Sequence, residues 1–225
     1  MQKTTVKRSQ GRMGRPPRAL AGEVDDRILD AARDIFLVSG LAGASIDEIA
    51  RRARAGKPTI YARYPTKEAL FAAVIMHNAA RVQAAGADER PTGGTIKDRL
   101  TSVGTAILKR LLSGDTIDFM RLSAAEAQRF PELTNVGRTV RERAAQAATH
   151  VLREIASSDE AAVFPGLAPG RLETTTHFFL DLVASRFLLR ALLGEPLDRL
   201  RADIDVHVAQ AVSFFLSACR NPSNG

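Results

Sequence analysis

Pro58 and Pro65 bracket the segment that most limits how this chain can fold. Proline fixes φ and lacks the backbone N–H, so it suits the first turn of a helix and otherwise stops one. Pro58 therefore opens a short helix over Lys57 to Arg63, and Pro65 ends it. Just upstream, Ser45 and Glu48 have capping-box spacing, in which each side chain satisfies the other's backbone N–H. Ile46, Ile49, Ala50 and Ala53 then form an apolar stripe, and 54–56 breaks the pattern. Two short helices joined by a tight turn are expected between Ser45 and Tyr64.

The flanks read as longer helices. Ile28, Ala32, Ile35, Phe36 and Ser39 recur at spacings of three and four from Val24 onward, and Gly40 supplies a stop. Thr66 is a good N-cap for a helix through Leu70, Phe71, Val74 and Ile75, which runs to the Gly- and Pro-containing stretch 86–94. Further helices are expected over 96–112, 116–129, 131–156, 171–193 and 197–218. No strand pattern or internal repeat appears. The fold class is all-α, with about nine helices: an N-terminal helix-turn-helix domain of three helices and a C-terminal helical bundle. The division is 1–23 as a basic disordered arm, 24–84 as the N-terminal helical domain and 85–225 as the C-terminal one.

Charge separates the two ends. Of the net +7, residues 1–67 hold 14 Lys/Arg against 7 Asp/Glu, whereas the remainder holds 18 of each. A basic front on a neutral body points to a polyanion met at the N-terminal end. A helix-turn-helix supplies the geometry, because its second helix lies in the major groove. Ile60 points to the core. On the exposed side Lys57, Pro58, Thr59, Ala62 and Arg63 are base-reading candidates, with Lys57 or Arg63 suited to guanine O6 and N7. The chain's only tyrosines, Tyr61 and Tyr64, can bond phosphate or pack on a thymine methyl. Ser45 and Thr66 begin helices whose N–H groups can hold phosphates, and Lys67 adds a cation beside the second. Two readings fit Arg12, Arg15 and Arg18: a solvated tail, or an arm reaching the minor groove or phosphates.

These residues resemble the TetR family of one-component regulators, through ASIDEIARRARAGKPTIYARYPTKEALF (44–71). The likeness lies in Ile49-Ala50, the triplet Thr59-Ile60-Tyr61, Tyr64, and Lys67-Glu68-Ala69-Leu70. Arg54 stands where the family usually has glycine, and an arginine forced to positive φ costs ~1 kcal/mol. Gly56 replaces a usual serine cap. DFMRLSAAEAQRFPEL (118–133) is similar to the regulatory half of the AefR-like branch. The resemblance implies a repressor that leaves a palindromic operator in double-stranded DNA when an unidentified small-molecule effector binds.

Residues 171–193 and 197–218 are apolar on more than one side: Leu172, Phe179, Val183 and Phe187 on one, Phe178, Leu182, Ser185 and Leu189 on another. A helix that is apolar all round must be covered all round, so a second copy is expected on these segments, as a homodimer. Phe119, Leu122, Glu126, Phe178 and Asp181 are the candidate ligand-binding residues, with 67–85 as the coupler to the DNA-binding end.

Other classes are disfavoured. No Walker loop, G-x-S-x-G elbow, H-E-x-x-H pair or dinucleotide fingerprint occurs, and the carboxylate pairs Asp115/Asp118 and Asp203/Asp205 lack supporting partners, so no enzyme is expected. His77, His150, His177 and His207 are scattered singly, giving no metal-ligand spacing. No cofactor is implied. The lone Cys219 excludes an internal disulfide, and no segment has signal-peptide or membrane-spanning character, so a cytoplasmic protein away from membranes is expected.

Overall fold

The computed structural model of the chain describes residues 18–86 and 89–221, with side chains described from residue 22. Every regular element among these residues is helical. Helix α1 spans Arg18–Gly43, α2 Ile46–Ala53, α3 Lys57–Arg63 and α4 Lys67–Ala84. The first helix thus begins at Arg18, ahead of the expected Val24, because Arg18-Ala-Leu-Ala are strong helix formers. The expected arm residues 1–17, Arg12 and Arg15 among them, and the side chain of Arg18 lie outside the described residues.

Gly40 interrupts the end of α1 with φ 66° and ψ 178°. Only glycine adopts that conformation without strain, so the stop falls where the sequence placed it. Thr66 caps α4 as expected, its hydroxyl accepting from the Ala69 N–H at 3.0 Å. Ser45 does not form its capping box. Its carbonyl accepts from the Ile49 N–H at 3.0 Å, but its side chain bonds no backbone N–H and Glu48 faces Arg51 instead. A capping box forms at α5, where Thr95 and Asp98 satisfy each other's backbone. The Thr95 bonds hold the exposed Asp98 carboxyl below its ordinary range.

Helices α1 to α4 close a head around Ile28, Ile35, Phe36, Ile49, Ile60 and Phe71, all at most 3% exposed. The body comprises α5 Ile96–Leu111, α6 Gly114–Glu126, α7 Glu132–Ala156, α8 Leu172–Leu180, α9 Arg186–Leu192, α10 Leu197–Ala202 and α11 Ile204–Arg220. A π-helical turn, Asp181–Ser185, joins α8 to α9 without a break, so the two form one rod. Counting that rod and the α10–α11 pair once each gives nine helices among the described residues, as expected. The rod buries Leu172, Thr176, Phe179, Val183, Phe187 and Ala191. Their steps of four and three exceed 3.6 residues per turn on average, and the wider π turn makes up the difference. His207 of α11 donates through Nε2 to the Val183 carbonyl at 3.0 Å inside that turn and packs its ring on Phe187. At the α5–α11 crossing a Cβ on Gly104 would stand 2.8 Å from Val208 Cγ1, so only glycine permits that approach.

Head and body share side chains. Ile117 of α6 joins the body core, whereas Phe119 two residues later is buried in the head core, its ring centroid 6.3 Å from that of Phe71. Leu122 and, from α7, Leu133 follow it into the head. Arg33 of α1 meets Asp115 of α6 at 2.6 Å, completing a seam beside the expected coupler α4.

Candidate nucleic-acid interface

The turn between α2 and α3 carries backbone strain. Arg54 caps α2 at φ 51° and ψ 44°, the left-handed conformation expected from its glycine-like position. Ala55 N–H reaches back to the Ala50 carbonyl at 3.0 Å, which closes the end of the helix. Gly56 then caps α3 without a side-chain bond, and Pro58 occupies its first turn.

Of the residues expected to meet DNA from α3, Lys57, Pro58, Tyr61 and Ala62 are exposed and Thr59 is half-buried, while Ile60 is fully buried beneath them. Lys57 is paired with Asp47 of α2. Both side chains are more than half exposed, so the pair is weak and readily exchanged for a phosphate. Ser45, Thr66 and Pro65 are exposed beside this face. The Ser45 hydroxyl, unused as a cap, is available to an incoming oxygen.

Three expected contacts point elsewhere. The Arg63 guanidinium turns toward α1, with Nε 3.0 Å from Asp25 Oδ1, and Nη1 donates to the Thr59 carbonyl at 3.3 Å. Tyr64 donates its hydroxyl to the same Asp25 oxygen at 3.1 Å, and burial, followed by the Asp25 charge, holds its phenol well above the usual range. Lys67 donates to the carbonyls of Ala42 and Ala44 at 3.0 and 3.2 Å, fastening the start of α4 to the α1–α2 link. These side chains brace the motif because carboxylate and carbonyl acceptors lie nearer to them than the open face.

Conversely, Arg51, Arg52 and Arg54 were absent from the expected set. All three are exposed, and Arg52 and Arg54 have no ion pair among the described residues. The signal was present in the sequence: Arg51 and Arg52 fall outside the Ile49-Ala50-Ala53 stripe, so a helix must turn them outward.

The expected ligand set does not converge. Phe119 and Leu122 enter the head core, Phe178 is 62% exposed on α8, and Asp181 is exposed and accepts from the Ser185 hydroxyl at 3.2 Å. Glu126 is half-buried at the end of α6. The charges of α6 make pairs instead, Arg121 with Asp118 at 3.3 Å. A concavity lies elsewhere, an open groove of 680 Å³ between the end of α4 and α5, lined by Val82, Ala85, Thr101, Thr105, Lys109 and Arg110.

No helix among the described residues is long and apolar enough to cross a membrane, and no group of three His, Cys, Asp or Glu there can hold a metal ion.

Comparison with known proteins agrees with the geometry at both ends. Residues 28–74 match the family of bacterial regulatory proteins named for TetR, and residues 98–220 match the AefR-like transcriptional repressor C-terminal domain. An HTH-type transcriptional repressor of Streptomyces coelicolor is 53% identical over 49 residues, covering 22% of this chain and 26% of that protein. One from Mycobacterium tuberculosis is 30% identical over 121 residues, covering 54% and 61%. The chain thus spans between about a quarter and three fifths of the length of these relatives. Among solved structures, a TetR-family regulator of Mesorhizobium loti has the same fold, with TM-score 0.75, 21% identity and coverage of 88% and 97%. The flavonoid-responsive regulator FrrA superposes with TM-score 0.68 at 27% identity, covering 90% of this chain and 100% of its own.

Proposed function

This chain belongs to the TetR family of bacterial transcriptional regulators, and from that premise we propose that it represses transcription by binding a pseudo-palindromic operator as a homodimer and leaves it when a small molecule binds the body. The observation that carries the reading is the exposed face of α3, with Lys57, Pro58, Thr59, Tyr61 and Ala62 above a buried Ile60, flanked by Arg51, Arg52 and Arg54. Residues 24–84 act as the DNA-binding unit and 85–225 as the ligand-binding and dimerisation unit. Ser45 and Thr66 offer helix N-termini to phosphates. Arg63, Tyr64 and Lys67 serve indirectly, by bracing α3 and α4.

Support for the dimer comes from the apolar side chains left uncovered on the rod and α11. Phe178, Leu189, Leu193, Val206 and Phe214 are each at least 60% exposed. A second copy placed by a two-fold axis covers these faces, and the same symmetry presents two recognition helices to two half-sites.

The effector enters the body, in the groove where α4 leaves the head, and moves α4 together with the α6 seam. Val82 and Ala85 give the groove an apolar wall, and Thr101 and Thr105 supply polar groups, beside an Arg110 already paired with Glu89 at 2.6 Å, that suit a ligand combining an apolar frame with oxygen substituents. FrrA, a flavonoid-responsive relative in fold and sequence, makes aromatic oxygen heterocycles the first compounds to try. Weakening operator binding a hundredfold requires ~2.7 kcal/mol of coupling. The test is selection of bound sites from random DNA, then a screen for compounds that release the best site. Enrichment of a two-fold site, and release by a compound whose own affinity falls when operator is added, are the expected results. Equal affinity for random and selected DNA overturns the reading.

A further inference from the structure

Asp25 is an acid on the face of α1 nearest the recognition helix, and it spends one oxygen, Oδ1, on two residues at that helix's C-terminal end. An uncompensated carboxylate beside a surface that docks on phosphates opposes docking. Here it is compensated from within the chain. The Arg63 Nε–H and the Tyr64 hydroxyl both converge on it, at 3.0 and 3.1 Å, and Arg63 Nη1 is spent on Thr59 of the same helix. An arginine that reads guanine or grips a phosphate needs an open fork of donors. Arg63 has its fork partly closed. Asp25 itself sits on a helix tied to the body at Arg33 and to α4 at Asp30, which meets Arg81 at 2.9 Å.

We propose that Asp25 is a positioning residue for DNA recognition: it holds Arg63 and Tyr64 at the end of α3 and keeps Arg63 off the phosphates in the bound state too. This rests on the reading that α3 enters the major groove. Non-specific affinity is thereby lowered, and preference among sequences is left to Lys57, Pro58, Thr59, Tyr61 and Ala62. The Arg63–Asp25 contact is only partly buried, 30% and 42% exposed, so it is an exchangeable restraint and not a fold determinant.

The experiment measures affinity of the full chain for its selected site and for random DNA across a salt series. It uses wild type, Asp25→Asn, Arg63→Met and the double variant, each checked for an unchanged melting temperature. Asp25→Asn frees an arginine for a phosphate, so the slope of log K against log salt steepens by about one per subunit and affinity for random and selected DNA rises alike. In the Arg63→Met background the same change leaves the slope where it was. Arg63→Met alone keeps the base preference at every position. Persistence of the steeper slope without Arg63 shows that Asp25 acts only as a repulsive charge and overturns the proposal, as does an unchanged slope in Asp25→Asn. Loss of preference at one base position in Arg63→Met also overturns it, by making Arg63 a reader. If Asp25→Asn unfolds, Asp25→Ser takes its place, and the Arg63→Met profile stands on its own. Failure of wild type to select any site refutes the DNA-binding reading instead.

Discussion

Replacing Phe119 by alanine separates two pictures of how the body reaches the head. In one, Phe119 lines a ligand site in the body, and its loss spares the head. In the structure the ring is 3% exposed, faces Phe71, and belongs to the cluster that also holds Phe36, whose centroid is 5.1 Å from Phe71. Truncating a buried phenylalanine removes its transfer free energy and leaves a cavity, ~3–5 kcal/mol in all. With a urea slope of about 3 kcal/mol per M for a chain of this size, the unfolding midpoint falls by roughly 1 to 2 M. The chain offers a local reporter, because it has no tryptophan and its two tyrosines, Tyr61 and Tyr64, both lie in the head. Tyrosine fluorescence therefore follows the head, and far-UV dichroism follows all helices. Wild type is expected to unfold with the two signals coincident. In Phe119→Ala the fluorescence transition moves to lower urea and runs ahead of the dichroism. Val38→Ala, at a site 87% exposed, is the control and shifts stability by under about 0.5 kcal/mol. A fluorescence midpoint unmoved in Phe119→Ala, or a body transition that falls first, refutes the assignment of Phe119 to the head core.

Further outcomes follow from the exposed and buried positions described above. Arg52→Ala flattens the salt dependence of DNA binding by about one per subunit without altering the preferred sequence; Arg54→Gly does the same while gaining ~1 kcal/mol in urea denaturation, because glycine relieves the positive φ. Phe214→Glu and Leu189→Glu, on exposed positions, retain helical content but sediment as monomers and lose at least about a hundredfold in operator affinity, so a persisting dimer counts against the proposed interface. Burial raises the Cys219 thiol from 9.0 to about 11. The folded chain therefore keeps its proton where the unfolded chain has lost it, and the stability this supplies is intact below pH 9 and lost as pH rises through about 11. Cys219→Ala should fall less steeply between pH 9 and 11 in urea titrations, and an identical profile refutes the attribution.

What was legible in the sequence is what depends on near neighbours. Pro58 and Pro65 set the bounds of α3 because their effect is covalent, Thr66 capped α4 from within one turn, and the two faces of the rod separated as read, with Phe179 and Phe187 buried and Phe178 and Leu189 exposed. What was not legible depends on partners far along the chain. Arg63 and Tyr64 look like ordinary exposed candidates until α1 brings Asp25 beside them, and Lys67 until the Ala42 and Ala44 carbonyls arrive. Phe119 and Leu122 share a helix face that the sequence marks as apolar, but two cores compete for it, and only their packing assigns it to the head. Ser45 and Glu48 had the right spacing for a cap, yet Glu48 faces Arg51.

The π turn at Asp181–Ser185 bears on how the rod tolerates changes of length. Such a turn holds one residue more than regular α-helix, so deleting a residue within 181–185 lets the segment relax to α-helix with both flanks still facing as they do now. The same deletion at 186–188 rotates everything after it by about 100° and swings Leu189 and Leu193 away from the side that Phe178 marks. An engineer shortening this rod by one residue has a permissive joint, and it lies where His207 reaches across to hold the Val183 carbonyl.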